Sequence, residues 1–159
     1  LTAPEWDLET AAGKRLSLSQ FKGRPVVLIF YLGYGCLHCA EQLQAFAPMV
    51  PEFEKAGLAI CAISTDKPED LKKSVESYDK GNLPIPLAAN AGLDVFKAYR
   101  AFDDFEQQPL HGTFLIDERG LVRWQDISYE PFMDPKFVLS EAARLLGQSR
   151  SDVNLAVGK

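Results

Sequence analysis

The 159-residue chain has little cysteine, little histidine and a deficit of positive charge. Its three cysteines, Cys36, Cys39 and Cys61, are too few and odd in number for the disulfide framework of a small secreted domain. With only His38 and His111, and no second Cys-x-x-Cys, a structural zinc site lacks its usual four ligands. Seventeen Lys and Arg against 22 Asp and Glu give a formal charge of −5. That field repels phosphate and anionic lipid, so nucleic acid is not an expected partner. Long hydrophobic runs are missing too: the longest, Val26 to Leu32, falls far short of the ~20 residues a membrane span requires. No basic-then-apolar leader opens the chain, which begins at Leu1. A processed chain or excised domain is therefore expected, with cytoplasmic and exported locations both open.

What is present is an ordinary globular balance, 47% hydrophobic and 25% charged. It predicts a single domain over 1–159, with a core over about 1–148 and a short tail, 149–159. Three short apolar runs bounded by Gly and Pro read as strands buried on both faces: Pro25 to Tyr31, Leu58 to Ser64 and Gly112 to Ile116. Leu121 to Ile127 alternates after the turn Asp117-Glu118-Arg119-Gly120, which predicts a hairpin partner nearer the sheet edge. Helical grammar opens at Asp66-Lys67-Pro68-Glu69, followed by Leu71, Val75 and Tyr78 on one side. It opens again at Asp134-Pro135, followed by Val138, Ala142 and Leu145, and Gly147 is expected to close that helix. A short helix is expected from about Leu93 to Tyr99. The helix after Cys39 should kink or split at Pro48 and Pro51. The order is strand, helix, strand, helix, short helix, strand, strand, helix. It describes an α/β fold whose central mixed sheet is flanked by helices on both faces.

The first strand-to-helix connection holds Cys36-Leu37-His38-Cys39. In open α/β sheets, ligand chemistry gathers beyond the carboxyl end of a strand at a helix N-terminus. A thiol reacts as thiolate, and the positive end of the helix dipole lowers its pKa. The spacing lets one thiol attack a mixed disulfide or sulfenic acid formed on the other. His38, inside the motif, would as a cation favour the Cys36 thiolate. Cys61, mid-strand in an apolar run, is expected in the core. His111 immediately precedes the Gly112 strand, and it faces the cysteines if that strand neighbours the first.

Ala3-Pro4-Glu5-Trp6-Asp7-Leu8, then Leu16-Ser17-Leu18-Ser19-Gln20-Phe21-Lys22-Gly23-Arg24-Pro25-Val26-Val27-Leu28, resemble the opening of the peroxiredoxin/redoxin (AhpC/TSA) branch of the thioredoxin superfamily. The likeness continues through Ile63-Ser64-Thr65-Asp66, Pro84-Ile85-Pro86-Leu87, Val95-Phe96-Lys97-Ala98-Tyr99 and Gly112-Thr113-Phe114-Leu115-Ile116-Asp117. Only about the last ten residues fall outside it. The resemblance implies a thioredoxin-like fold with a peroxiredoxin-style N-terminal extension. Peroxiredoxins carry Pro-x-x-x-Thr/Ser-x-x-Cys after the first core strand. Counted from Tyr31, Leu32 stands at the proline, Cys36 at the threonine and Cys39 at the peroxidatic cysteine. The family's active-site arginine falls at His111. Loss of the threonine hydroxyl and the guanidinium fork removes two donors to the peroxide oxygens, each worth a few kcal/mol of barrier; a protonated His111 replaces part of that set.

Thioredoxin-type members of the superfamily attack instead with the first cysteine, here Cys36. His38 then stands where the DsbA-like donors carry histidine in Cys-Pro-His-Cys. The expected activity is thus thiol-disulfide exchange, with Cys36 as nucleophile, Cys39 resolving and His38 tuning the thiolate. The alternative is a peroxidase in which Cys39 attacks and Cys36 resolves. A third reading, similar to the copper-handling Sco branch, takes Cu(I) on Cys36, Cys39 and His111, although Sco proteins space their cysteines by three. No cofactor is expected. The expected partners are a thiol/disulfide protein or a small peroxide, with an external thioredoxin-type reductant.

Overall fold

Each of the three apolar runs becomes a strand with every residue buried, because the sheet they form is covered on both faces. A computed structural model describes residues 1–33, 37–76 and 83–157, the side chains of 37–40 and 148–157 excepted. In chain order the elements are β1 (Asp7–Glu9), β2 (Arg15–Ser17), a 3-10 turn (Leu18–Phe21), β3 (Val26–Tyr31), α1 (Leu37–Phe46), a 3-10 turn (Ala47–Met49), α2 (Val50–Lys55), β4 (Ala59–Ser64) and α3 (Pro68–Glu76). There follow β5 (Leu87–Ala89), α4 (Asp94–Ala98), β6 (Phe102–Asp103), β7 (Gln108–Pro109), β8 (His111–Ile116), β9 (Val122–Ser128) and α5 (Pro135–Val157). The main sheet has the order β5-β4-β3-β8-β9. β4 runs parallel to β3 and to β5, whereas β8 is antiparallel to β3 and to β9.

Strand alternation divides the interior in two. Val27, Ile29 and Tyr31 of β3 face a core built with Leu43, Phe46, Val50, Phe53 and Leu71 from α1, α2 and α3, and with Val138 and Ala142 from α5. Val26, Leu28 and Phe30 face the opposite core, with Trp6, Leu16, Phe96, Tyr99 and Phe114. There the Phe30 ring lies 4.9 Å from Phe96, 5.1 Å from Tyr99 and 5.5 Å from Phe114, centroid to centroid. The N-terminal segment closes this second core. Tyr99 Oη donates to the Pro4 carbonyl at 2.7 Å, and β1 and β2 pair as a hairpin. Cys61 is fully buried here opposite Leu28, as core filler.

Pro48 and Pro51 divide α1 from α2 as expected, through the 3-10 turn. β9 occupies the edge predicted for the alternating segment. α5 does not end at Gly147: it continues to Val157. A helical Gly costs only about 1 kcal/mol relative to Ala and has no need to leave the helix, and Gly147 is not among the positive-φ residues. Tyr78, expected on the apolar side of α3, lies outside the described residues. Among the described residues no helix is long and apolar enough to cross a membrane.

Candidate active site

β3 delivers the chain to its carboxyl end at Leu32 and Gly33, and α1 begins at Leu37. Gly33 has φ of +94°, and a Cβ there would stand 2.6 Å from Asp66 Oδ1 and 3.0 Å from Thr65 Oγ1. Only glycine meets both demands. Asp66 is itself fixed: Ser64 Oγ donates to its Oδ2 at 2.7 Å, and its backbone N–H donates to Ser64 Oγ at 2.9 Å. The end of β4 therefore forms a wall against which the β3-to-α1 connection starts. Tyr31, the last residue of β3, sits behind that wall. Burial pushes its phenol up to about 12, tempered by the nearby Ser64 and Ser74 hydroxyls and reinforced by the Asp66 charge. Its hydroxyl makes no hydrogen bond of full geometry among the described residues.

Cys36 lies outside the described residues. His38 and Cys39 are the second and third residues of α1, so Cys39 belongs to the first helical turn, where the positive end of the helix dipole favours a thiolate. Their side chains, too, lie outside the description. His111 is not a loop residue. It is the first residue of β8, 4% exposed, in register with Ser128 of β9.

Register and periodicity place His111 relative to α1. Ile29 pairs with Thr113 and Val27 with Leu115, so His111, Thr113 and Leu115 share the sheet face covered by α1. Gln42, in the second turn of α1, donates from Nε2 to Thr113 Oγ1 at 3.4 Å and to the Phe132 carbonyl at 3.1 Å. From that contact, Cys39 lies three residues toward the start of α1, a rise of about 4.5 Å. His111 lies two residues toward the start of β8, a rise of about 6.6 Å. Both steps lead toward the carboxyl end of β3. The backbone thus brings the turn holding Cys39 and the buried His111 to one end and one face of the sheet.

Gln42 belongs to none of the motifs in the sequence. It is fully buried, and its Oε1 accepts no hydrogen bond among the described residues. The signal was available: a polar residue three positions after Cys39, beside Leu43 and Phe46 on the apolar side of a helix, is costly to bury without a purpose. Of the copper set, the two cysteine side chains lie outside the description. Among the described residues no three His, Cys, Asp or Glu side chains gather as metal ligands do.

Against known proteins, the profile of the AhpC/TSA family matches residues 1–125. The chain is 33% identical over 144 residues to a chloroplastic peroxiredoxin Q of Populus jackii, which covers 90% of this chain and 65% of that one. It is 32% identical over 146 residues to a chloroplastic peroxiredoxin Q of Sedum lineare, covering 91% and 75%. The chain therefore spans just under two thirds of the length of the poplar relative. In three dimensions it is similar to the reduced 2-Cys peroxiredoxin of Plasmodium vivax, with a TM-score of 0.82, 18% identity and coverage of 94% and 96%. At that identity the likeness speaks for the thioredoxin-like fold.

Proposed function

We propose that this chain, which belongs to the AhpC/TSA family, is a thiol peroxidase in which Cys39 is the peroxidatic cysteine and Cys36 resolves it. The Cys39 thiolate attacks one oxygen of the peroxide. The S–O bond forms as the O–O bond breaks, the distal oxygen leaves with the bonding pair, and it takes a proton to become water or an alcohol. Cys39 is now a sulfenic acid, oxidised by two electrons. The Cys36 thiolate attacks that sulfur, hydroxide leaves and is protonated to water, and a Cys36-Cys39 disulfide forms. An external dithiol protein then reduces it by exchange. The thiol-disulfide exchange expected from the cysteine spacing is retained as this last half-reaction; the order of attack is reversed.

The observation that carries the reading is the convergence of the first turn of α1 with buried His111 on one sheet face. A thiolate at a helix start and an imidazole at the same end of the sheet supply a nucleophile and a donor for the leaving oxygen. Family membership and the peroxiredoxin relatives support peroxide as the oxidant. Copper binding has no such support.

Trapping tests the assignment. With one equivalent of hydrogen peroxide, Cys36→Ser is expected to accumulate a dimedone-reactive sulfenic acid on Cys39. Cys39→Ser is expected to consume no peroxide. If Cys36→Ser gains no oxygen at Cys39 while the wild type still exchanges disulfides, the peroxidase assignment is wrong and Cys36 leads.

A further inference from the structure

Four large apolar side chains stand in solvent: Phe105 at 91% exposure and Tyr129 at 70%, on the segments that flank the His111–Ser128 pair, and Met133 at 44% and Phe137 at 42%. Among the described residues, only Leu1 joins them as a strongly exposed large hydrophobic.

The fold explains why Phe105 and Tyr129 lie together. β6 and β7 form a hairpin that ends just before Leu110 and His111, with Phe105 in its turn. That turn is built, because Asp103 Oδ1 accepts the backbone N–H of Phe105 at 2.9 Å and of Glu106 at 3.1 Å. β9 ends at Ser128, the register partner of His111, and Tyr129 follows it. The Tyr129 hydroxyl donates to the Asp103 carboxylate and ties the hairpin to the exit of β9. Farther on, Phe132 packs 5.1 Å from Trp124 and 5.8 Å from Phe137, and its carbonyl accepts from Gln42 of α1. Phe105 and Tyr129 are therefore tied to one anchor, Asp103, at the His111–Ser128 end of the sheet, while Phe137 lies beside Trp124, the register partner of Leu115.

The charge on these segments has one sign. Residues 102–109 carry Asp103, Asp104 and Glu106, and residues 129–134 carry Glu130 and Asp134; neither stretch holds a Lys or Arg. Cations flank these stretches: Arg100 just before β6, Lys97 over the Phe102 ring at 4.9 Å, and Lys136 on α5. Exposed aromatics within a polar rim are the composition of a protein-contact surface, and carboxylates of one sign steer a partner of the other. A second copy fits poorly, since a two-fold contact through this face would set five carboxylates against five.

We propose that this acidic-rimmed aromatic face docks the disulfide-exchange protein that reduces the Cys36-Cys39 bond, and that the partner meets it with an apolar centre and a cationic rim. The proposal rests on the peroxidase reading, and two assays keep them separate. Peroxide turnover driven by dithiothreitol tests the reading. The face is tested with a thioredoxin carrying lysines around its dithiol and the same protein with those lysines changed to glutamate, compared by kcat/KM as reductant and by calorimetric affinity.

At low salt the cationic form is expected to be at least tenfold better, with the difference shrinking as sodium chloride rises. Combining Asp104→Lys, Glu106→Lys and Glu130→Lys should reverse the order, and Phe105→Ala should raise KM for the cationic form about tenfold. Turnover with dithiothreitol should stay unchanged in these variants. Equal affinity for the two thioredoxins, or equal loss with dithiothreitol, overturns the proposal. So does sedimentation showing that the wild type dimerises and Phe105→Ala does not, because the face is then covered by a second copy.

Discussion

Gly33→Ala perturbs the connection to α1 at a single atom. The added methyl would sit 2.6 Å from Asp66 Oδ1, on a backbone with φ of +94°. A non-glycine residue in that region costs about 1–2 kcal/mol. The Asp66 carboxylate cannot swing aside freely, because Ser64 Oγ donates to its Oδ2 at 2.7 Å; loosening that hydrogen bond adds about 1–2 kcal/mol. The expected total is about 2–4 kcal/mol, measured by urea denaturation as a lower midpoint at unchanged slope. If the chain instead relieves the strain by moving the β3-to-α1 connection, the penalty appears as slower sulfenic acid formation at Cys39 under stopped flow. Adding Asp66→Ala should relieve the clash with the carboxylate and leave the φ penalty and the Thr65 Oγ1 contact, so the double variant is expected to be more stable than Gly33→Ala alone. A Gly33→Ala protein within about 0.5 kcal/mol of wild type, with wild-type kinetics, would refute the reasoning.

Phe30→Ala removes a ring in contact with Phe96, Tyr99 and Phe114 and is expected to cost about 3–5 kcal/mol in the same denaturation assay. Cys61 should stay unreactive toward Ellman's reagent in native protein and react once the chain is unfolded, since it is fully buried. Burial also holds the Cys61 thiol well above its usual value near 9 and Tyr31 at about 12. In alkali the unfolded chain releases these protons while the folded one keeps them, so stability falls as pH rises, by about 1.4 kcal/mol per pH unit per group. The decline from Cys61 begins near pH 9, and Tyr31 adds to it between pH 10 and 12. Cys61→Ala should flatten the pH 9–10 part of the urea-midpoint profile; an unchanged slope there would dismiss the assignment.

The strands β3, β4 and β8 were legible because burial on both faces demands an unbroken apolar run, and the proline-split helix was legible because proline cannot donate in a helix interior. β5 escaped notice. Its three residues, Leu87–Ala89, follow Pro84-Ile85-Pro86 and pair with β4 at only three positions, too short for any period to register. The β6–β7 hairpin, two residues a side, was hidden for the same reason, and with it the surface carrying Phe105. At the site, Cys39 at a helix start followed from strand, loop and helix order. The burial of His111 depended on β8 lying antiparallel beside β3, a fact of long-range register. Gln42 became visible only when its partners, Thr113 and Phe132, were known.

The central position of β3 has a consequence for synthesis. One edge of β3 is satisfied early by β4, but the other must wait for β8, where Val26 meets Ile116 across 90 intervening steps of chain. At roughly 5–20 residues per second of translation, that edge waits on the order of ten seconds on the ribosome. Throughout, a six-residue apolar strand, Val26–Tyr31, offers unpaired amides and carbonyls to any neighbouring nascent chain. The segment most in need of shielding in the cell is therefore the one that later leads into the cysteines.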